Sequence, residues 1–367
     1  MPRVLVLNTG SSSLKWVVLD AATEEAREQG TATWQGTEGG RHERELADAL
    51  RELPAVDAVG HRVVHGGVHF RGAVEVDESV RARIVELAEL APLHNPAAVA
   101  GLDAARARFP NARQVAAFDT AFHATMPEAA SHYALPWEWT VRWGLRRFGF
   151  HGLSVEYAVS RAAQLLGHPS ARMVVCHLGA GCSISAVADG RSVDTSMGFT
   201  PLEGLMMARR SGSVDPGLLL YLLDRQRVAP GDLDQALNEQ AGLLGVSGVS
   251  ADMRAVLAAE AAGNPRAGLA VAMFVHRVVS TIGAMTAVLG GLDTLVFTGG
   301  IGEHSSTIRA RVVDGFAYVG ARLDLSSNAS APVDQDVAPA DSAVRILVIT
   351  AREDLTILRH VKRLLGW

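Results

Sequence analysis

The run Asn8-Thr-Gly-Ser-Ser-Ser-Leu-Lys15 places an amide, a glycine, three successive hydroxyls and an ammonium within one short stretch. Backbone N–H groups and hydroxyls donate to phosphate oxygens and a lysine adds a point charge, so Ser11, Ser13 and Lys15 are candidate phosphate ligands. The spacing is not that of a Walker loop, GxxxxGKS/T. An ordinary polar hairpin tip would look the same in isolation. Two further glycine-marked strand ends shift the balance, His177-Leu-Gly-Ala-Gly181 and Gly299-Gly-Ile-Gly302. Three such ends in one chain point to a polyphosphate held in a cleft between two related domains.

Arg62 lies in Gly60-His-Arg-Val-Val-His-Gly-Gly67 and Arg210 in Ala208-Arg-Arg-Ser-Gly-Ser-Val-Asp215. A guanidinium donates through a planar fork that matches carboxylate and phosphoryl oxygens. Most isolated arginines form surface ion pairs; these two adjoin small residues that let a ligand approach the backbone. Asp119, bracketed by apolar residues in Ala117-Phe-Asp-Thr-Ala-Phe-His123, and Glu353, after the apolar run 346–349, suit a magnesium ion that needs one or two carboxylates besides water and phosphate. Each alone reads more readily as a helix cap or a charge pair. His151, between Phe150 and Gly152, and His177 have no partner at metal-ligand spacing, and no HExxH or Cys/His cluster occurs, which argues against zinc.

These residues need strands that deliver them. Arg3–Asn8 and Leu14–Leu19 flank the first polar turn as a hairpin, and 173–178 with 182–187 repeat that plan, so the chain reads as a distant internal duplication. Strands 58–64, 114–118, 295–298 and 344–350 alternate with helical stretches at 79–91, from the Gly299–Gly302 turn through Arg311, and 355–365. Polar residues at the carboxyl ends of such strands suit an open α/β sheet. The expected domains are 1–149 and 150–354, with helix 355–367 packing back on the first. Residues 329–343, rich in Ala, Pro, Asp and Ser, read as a surface loop.

With 367 residues, nearly half apolar, the chain can bury two cores. The net charge of −5 and the lack of like-charge blocks argue against nucleic acid or anionic membrane as the main partner. Cys176 and Cys182, the only cysteines, are too few for a disulfide framework and fit a reducing cytoplasm as packing residues. Met1 leads directly into a strand, with no apolar leader to suggest export. The apolar stretch 267–289 is broken by His276 and Arg277 and reads as a buried helix of a soluble protein.

Taken in chain order, NTGSSSLK from Asn8, GHRVVHGG from Gly60, APLHNP from Ala91, FDTAFH from Phe118, RRFGFHG from Arg146, HLGAG from His177, TPLEGLMM from Thr200, RSGSVDP from Arg210, SADMR from Ser250 and GGIGEH from Gly299 resemble the acetate kinase family. The resemblance spans essentially the whole chain. It implies an α/β fold of two related actin-like ATPase (ribonuclease H-like) domains, with mixed sheets flanked by helices. It implies ATP-dependent phosphoryl transfer to acetate, with propionate as the nearest rival acceptor, magnesium (or manganese) as the metal, and a homodimer. A non-catalytic nucleotide switch of the same fold is the rival of another class.

By the same resemblance, Arg62 and Arg210 would hold the carboxylate and the transferring phosphoryl group, His151 would donate to that group, and Asp119 would act near the metal. Asn8 and Glu353 match metal positions. Val64, Leu93, Phe150 and Pro201 match the pocket for the acyl methyl. His177, Leu178, Gly179, Ala180 and Gly181 match a phosphate-binding turn, while Asp252, Met253, Arg254, Gly299, Gly300, Ile301, Gly302 and Glu303 match the nucleotide site. The chain departs from the family pattern at Ala180, Arg209, Ser213, His304 and around Glu353, which implies an altered nucleotide preference or rate.

Overall fold

The computed structural model describes residues 1–10, 13–34, 41–92, 94–330 and 334–367, so Ser11, a candidate phosphate ligand, and Leu93, a candidate acyl-pocket residue, lie outside the described residues. The chain divides into two compact units. One comprises Met1–Ala124, Phe150–Tyr157 and Arg352–Trp367, the other Thr125–Gly149 and Ala158–Ala351.

In the first unit β1 (Arg3–Thr9), β2 (Ser13–Asp20), β3 (Ala26–Thr33), β4 (Ala58–Val63), β5 (Val74–Glu75) and β6 (Arg113–Phe118) form a sheet in the order β3-β2-β1-β4-β6-β5. Val4 to Leu7 are all buried, as a strand covered on both faces requires, and β1 pairs in parallel with β4, which pairs in parallel with β6. The carboxyl ends of β1, β4 and β6 therefore lie at one end of the sheet. Leu5, Leu7, Leu46, Leu50 and Phe109 build one core, and Val63, Ile84, Leu102 and Phe118 another. The last helix, Glu353–Leu365, packs on β1 and β4. Gly60 makes that approach close, since a Cβ there would sit 2.4 Å from Ile357 Cγ2.

The second unit repeats the plan with β7 (Arg172–Leu178), β8 (Cys182–Ala188), β9 (Arg191–Thr195), β10 (Thr294–Thr298), β11 (Gln335–Asp336) and β12 (Arg345–Val348), in the order β11-β12-β10-β7-β8-β9. Antiparallel hairpin, parallel neighbours and antiparallel edge recur at equivalent places.

Three expectations are corrected. The boundary near residue 149 is not a single cut. Residues 125–149 join the second unit, where Thr125 Oγ1 donates to the Ser192 carbonyl at 2.8 Å and Phe148 N to that of Gly198 at 3.0 Å. Residues 150–157 join the first, where Gly152 N donates to the Asp119 carbonyl at 2.8 Å and Thr356 Oγ1 to that of Leu153 at 2.9 Å. The stretch 329–343 is not all loop: the helix Leu325–Ser330 enters it, and β11 pairs with β12. A two-residue strand carries no periodicity to read. Finally, helix Pro265–Leu289, long and apolar enough by length and composition to cross a membrane, is buried on one face only. Phe274, Val278 and Ile282 are buried, while Leu269, Met273, His276, Arg277 and Val288 are exposed.

Two buried histidines of the first unit give a pH-dependent stability. His61 Nε2 meets Gln114 Oε1 at 2.7 Å and His123 Nε2 meets the Phe150 carbonyl at 3.0 Å. Burial pushes each imidazole down to about 4 from its ordinary 6.5. A depressed histidine stabilises the fold fully above its unfolded value and loses that contribution as pH falls toward the folded value. Stability is thus expected to fall between pH 6.5 and 4, by on the order of 3 kcal/mol per histidine. Thermal unfolding of wild type and His61→Gln checks this, the variant showing the shallower pH dependence; parallel curves would refute it.

Candidate active site

Because β1, β4 and β6 are parallel, their carboxyl ends bring Asn8, Arg62 and Asp119 to one rim of the first sheet. Asn8 is the register partner of Lys15 on β2, and Lys15 is exposed. Arg62 Nε donates to Asp119 Oδ1 at 3.0 Å and Nη2 to Oδ2 at 2.6 Å, a two-point fork. Its Nη1 lies 3.3 Å from Oε2 of Glu353, the first residue of the last helix. Asp119 is 1 % exposed, and the Arg62 fork takes both of its oxygens. Burial opposes the charge on Arg62, but Asp119 and Glu353 outweigh it and hold the guanidinium above its ordinary value. Burial pushes the Glu353 carboxyl up, against the pull of Arg62.

His151, the residue before Gly152, has a φ of +59°, a conformation that costs a non-glycine residue about 1–2 kcal/mol. Its neighbours hold it there. The carbonyl of Phe150 contacts His123, and Gly152 N donates to the Asp119 carbonyl, an approach so close that a Cβ at Gly152 would lie 2.2 Å from that oxygen. Phe150 is buried and meets the fully buried His65 ring edge-on, with centroids 5.4 Å apart. Val64, just past β4, is half-buried. Ser13, whose carbonyl accepts from Gly10 N at 2.7 Å, closes the first hairpin tip.

In the second unit the parallel strands β7 and β10 carry His177 and Thr298 as register partners. The turn after β7 is closed by Gly179 N donating to the Gly181 carbonyl at 3.0 Å. Gly299, expected as part of a turn, instead opens the short helix Gly299–His304. Its φ is +75° and a Cβ would lie 2.9 Å from the Leu178 carbonyl, so glycine is needed for the two segments to touch. Ala208 N donates to the Ala180 carbonyl at 3.2 Å, tying the Arg210 loop to the same turn.

A cavity of about 980 Å³ opens here, within the size range of small-molecule sites. Gly179, Ala180 and Arg210 line one side, Asp252, Met253 and Arg254 another, and Gly300 and Ile301 a third. Asp252 caps the helix Met253–Ala261, and the Arg254 guanidinium holds its carboxyl below the usual range. Leu178, Gly181, Gly299, Gly302, His177 and Glu303 are not on the cavity wall. Glu303 Oε1 instead accepts from Ala351 N at 3.0 Å. Arg209, Asn238, Leu257, His304 and 305–307 also line it and were not anticipated as ligands. Arg209 had a signal in its neighbour Arg210; Asn238, on a π-helical turn, had none.

Arg210 differs from Arg62. Its Nη1 donates to the Pro201 carbonyl at 3.1 Å and reaches Met207 Sδ at 3.8 Å, and among the described residues no carboxylate pairs with it. Burial pushes it below its ordinary value.

A profile of the acetokinase family matches residues 42–359. The chain belongs to the acetate kinase (acetokinase) family. The acetate kinase of Nostoc punctiforme is 45 % identical over 403 aligned positions, covering 99 % of each chain. That of Microcystis aeruginosa is 50 % identical over 85 % of this chain and 78 % of its own. Among solved structures, the Porphyromonas gingivalis acetate kinase superposes with a TM-score of 0.91 at 36 % identity, covering both chains fully. A propionate kinase from Francisella tularensis gives 0.90 at 37 %, over 98 % of this chain and 99 % of its own. The fold of this family is the actin-like one, with two mixed sheets flanked by helices.

Proposed function

We propose that the chain catalyses reversible transfer of the γ-phosphoryl group of ATP to acetate, giving acetyl phosphate and ADP. The observation that carries this reading is Arg210, a half-buried guanidinium without a carboxylate partner on the wall of a nucleotide-sized cavity, in a chain that matches acetate kinases end to end. A carboxylic acid is ionised at pH 7, so the attacking oxygen needs no general base. The difficulty is an anion approaching an anion, and catalysis is then alignment and charge stabilisation.

In this reading Arg62 and Arg210 bind carboxylate and phosphoryl oxygens, and His151 donates to the phosphoryl group. The family resemblance assigns Val64, Phe150, Leu93 and Pro201 to the acyl methyl. Ser11, Ser13, Lys15 and the 177–181 turn are assigned to phosphates, and Asp252–Arg254 with Gly300 and Ile301, which line the cavity, to the nucleotide. Transfer is direct and in line, without a phosphoenzyme. The family implies a divalent metal, and the donor set fits magnesium. Such an ion takes one or two carboxylates and completes its shell with water and phosphate, and the carboxylates of Asp119 and Glu353 both meet the Arg62 guanidinium at the rim of the first sheet. Asp119, Glu353 and Asn8 would hold it, and bound there it would neutralise phosphate charge. Homodimeric assembly and a cytoplasmic setting complete the reading.

Propionate is the second acceptor to weigh, because a propionate kinase and an acetate kinase resemble the chain equally in structure. One methylene is worth only about 1–3 kcal/mol of discrimination. Hydroxylamine trapping of acyl phosphate with ATP, magnesium and acetate, propionate or butyrate decides it. The expected order of kcat/KM is acetate, propionate, butyrate; a propionate optimum would reassign the acceptor.

A further inference from the structure

Among the described residues no carboxylate aims the guanidinium of Arg210, and its oxygen partner is the Pro201 carbonyl at 3.1 Å. That carbonyl belongs to a loop pinned with unusual density. Arg147 Nη1 donates to the successive carbonyls of Thr195, Ser196 and Met197, each at 3.1 Å, and Nη2 donates to Glu203 Oε1 at 2.7 Å. The other Glu203 oxygen accepts from the Tyr133 hydroxyl, whose oxygen in turn accepts from Phe199 N at 2.8 Å. One cation, one anion and one phenol thus fix the backbone on both sides of Pro201.

Downstream, Gly204 N donates to Ser213 Oγ at 3.0 Å and Ser213 N to the Gly204 carbonyl at 2.9 Å, closing the loop that carries Arg210 back onto the same anchor. Gly198 shows that the arrangement is built in. A Cβ there would lie 2.2 Å from the Tyr133 hydroxyl and 1.6 Å from Glu203 Oε2, so only glycine lets the Tyr133–Glu203 pair lie across the chain.

We propose that Tyr133, Glu203 and Arg147 are positioning residues for the Arg210 guanidinium, acting through the Pro201 carbonyl. The proposal rests on the reading of Arg210 as a substrate-binding arginine. An ammonium in place of the Arg147 fork could not span three carbonyls and a carboxylate at once. A charge aimed at the transition state gains most when it is held before the substrate arrives.

The test is a double-mutant cycle on acyl phosphate formation, with Tyr133→Phe and Gly198→Ala each made alone and together with Arg210→Lys. In the wild-type background Tyr133→Phe is expected to lower kcat about tenfold, the worth of one hydrogen bond, with the ATP KM changed by less than about twofold. Gly198→Ala, which pushes the same pair apart, should reproduce that loss. In the Arg210→Lys background neither change should cost more than about twofold, because what they position is already gone. Equal losses in both backgrounds, or a full wild-type kcat in the two single variants, would overturn the proposal. Should Tyr133→Phe melt below the assay temperature, Glu203→Gln, which keeps the shape but replaces one of the two accepting oxygens with an NH2 group, carries the same cycle. Wild-type protein that makes no acyl phosphate would instead sink the functional reading, and this proposal with it.

Discussion

Arg210→Ala is expected to lower turnover by about 10³-fold or more while leaving the melting temperature almost unchanged. The rate effect follows from what an arginine directed at transferring phosphoryl charge is worth, on the order of 10³–10⁵. The small stability effect follows from the geometry. Arg210 is paired with one carbonyl and one sulfur, and removing it strands no carboxylate. Burial already disfavours its charge, so its loss relieves a cost as well as a contact. Initial rates beside thermal unfolding check both halves. Near-normal turnover would remove Arg210 from the reaction, and a collapsed fold with unchanged kcat in the surviving protein would make it structural.

Arg62→Ala should lose turnover on a similar scale and, unlike Arg210→Ala, should also lose stability. Here the guanidinium is the partner of two carboxylates. Asp119 is almost completely buried and takes both arms of the fork, and Glu353 lies 3.3 Å from the remaining nitrogen. Removing one member of a buried pair leaves an uncompensated charge, typically at a cost of about 3–5 kcal/mol. Arg62 and Glu353 keep side-chain exposures of 18 % and 19 %, so the lower end of that range is expected. Denaturant unfolding of Arg62→Ala against Arg210→Ala makes the contrast direct. Equal stabilities would mean that the triad contributes little to the fold, and full activity in Arg62→Ala would confine that arginine to a structural ion pair.

The parts of the fold that could be read from the residues are those with a strong local signal. Val4–Leu7, Met173–Cys176 and Leu295–Phe297 are apolar runs ending in glycine or polar residues, and each is a central strand. The parallel pairing of β1 with β4 and of β4 with β6 then carries Asn8, Arg62 and Asp119 to one rim. The edge strands were harder. β3 is exposed along most of its length and has a polar sequence, and β5 and β11 have two residues each. The sequence order hides the tertiary partners in the same way. Nothing near Arg62 foretells that its fork closes on Asp119 while its third nitrogen faces Glu353, nearly 300 residues later.

The same limit explains the network around Arg147. Tyr133, Arg147 and Glu203 look unremarkable as separate residues, and only the folded loop brings them onto Gly198. Cavity walls behave alike. Asp252–Arg254 and Gly300–Ile301 lie in recognisable motifs, whereas Asn238 and Leu257 line the cavity from positions that belong to no motif. Glu303 shows the converse, a motif residue whose carboxylate is taken by Ala351 N.

The central claim is that this protein moves a phosphoryl group from ATP to a short carboxylate. Phosphorus NMR of the wild-type protein with ATP, magnesium and acetate tests it most directly. An acetyl phosphate resonance is expected to grow in step with ADP, and the reaction to reverse when acetyl phosphate and ADP are supplied instead. ADP appearing only with inorganic phosphate, or no turnover with any short carboxylate, would contradict it.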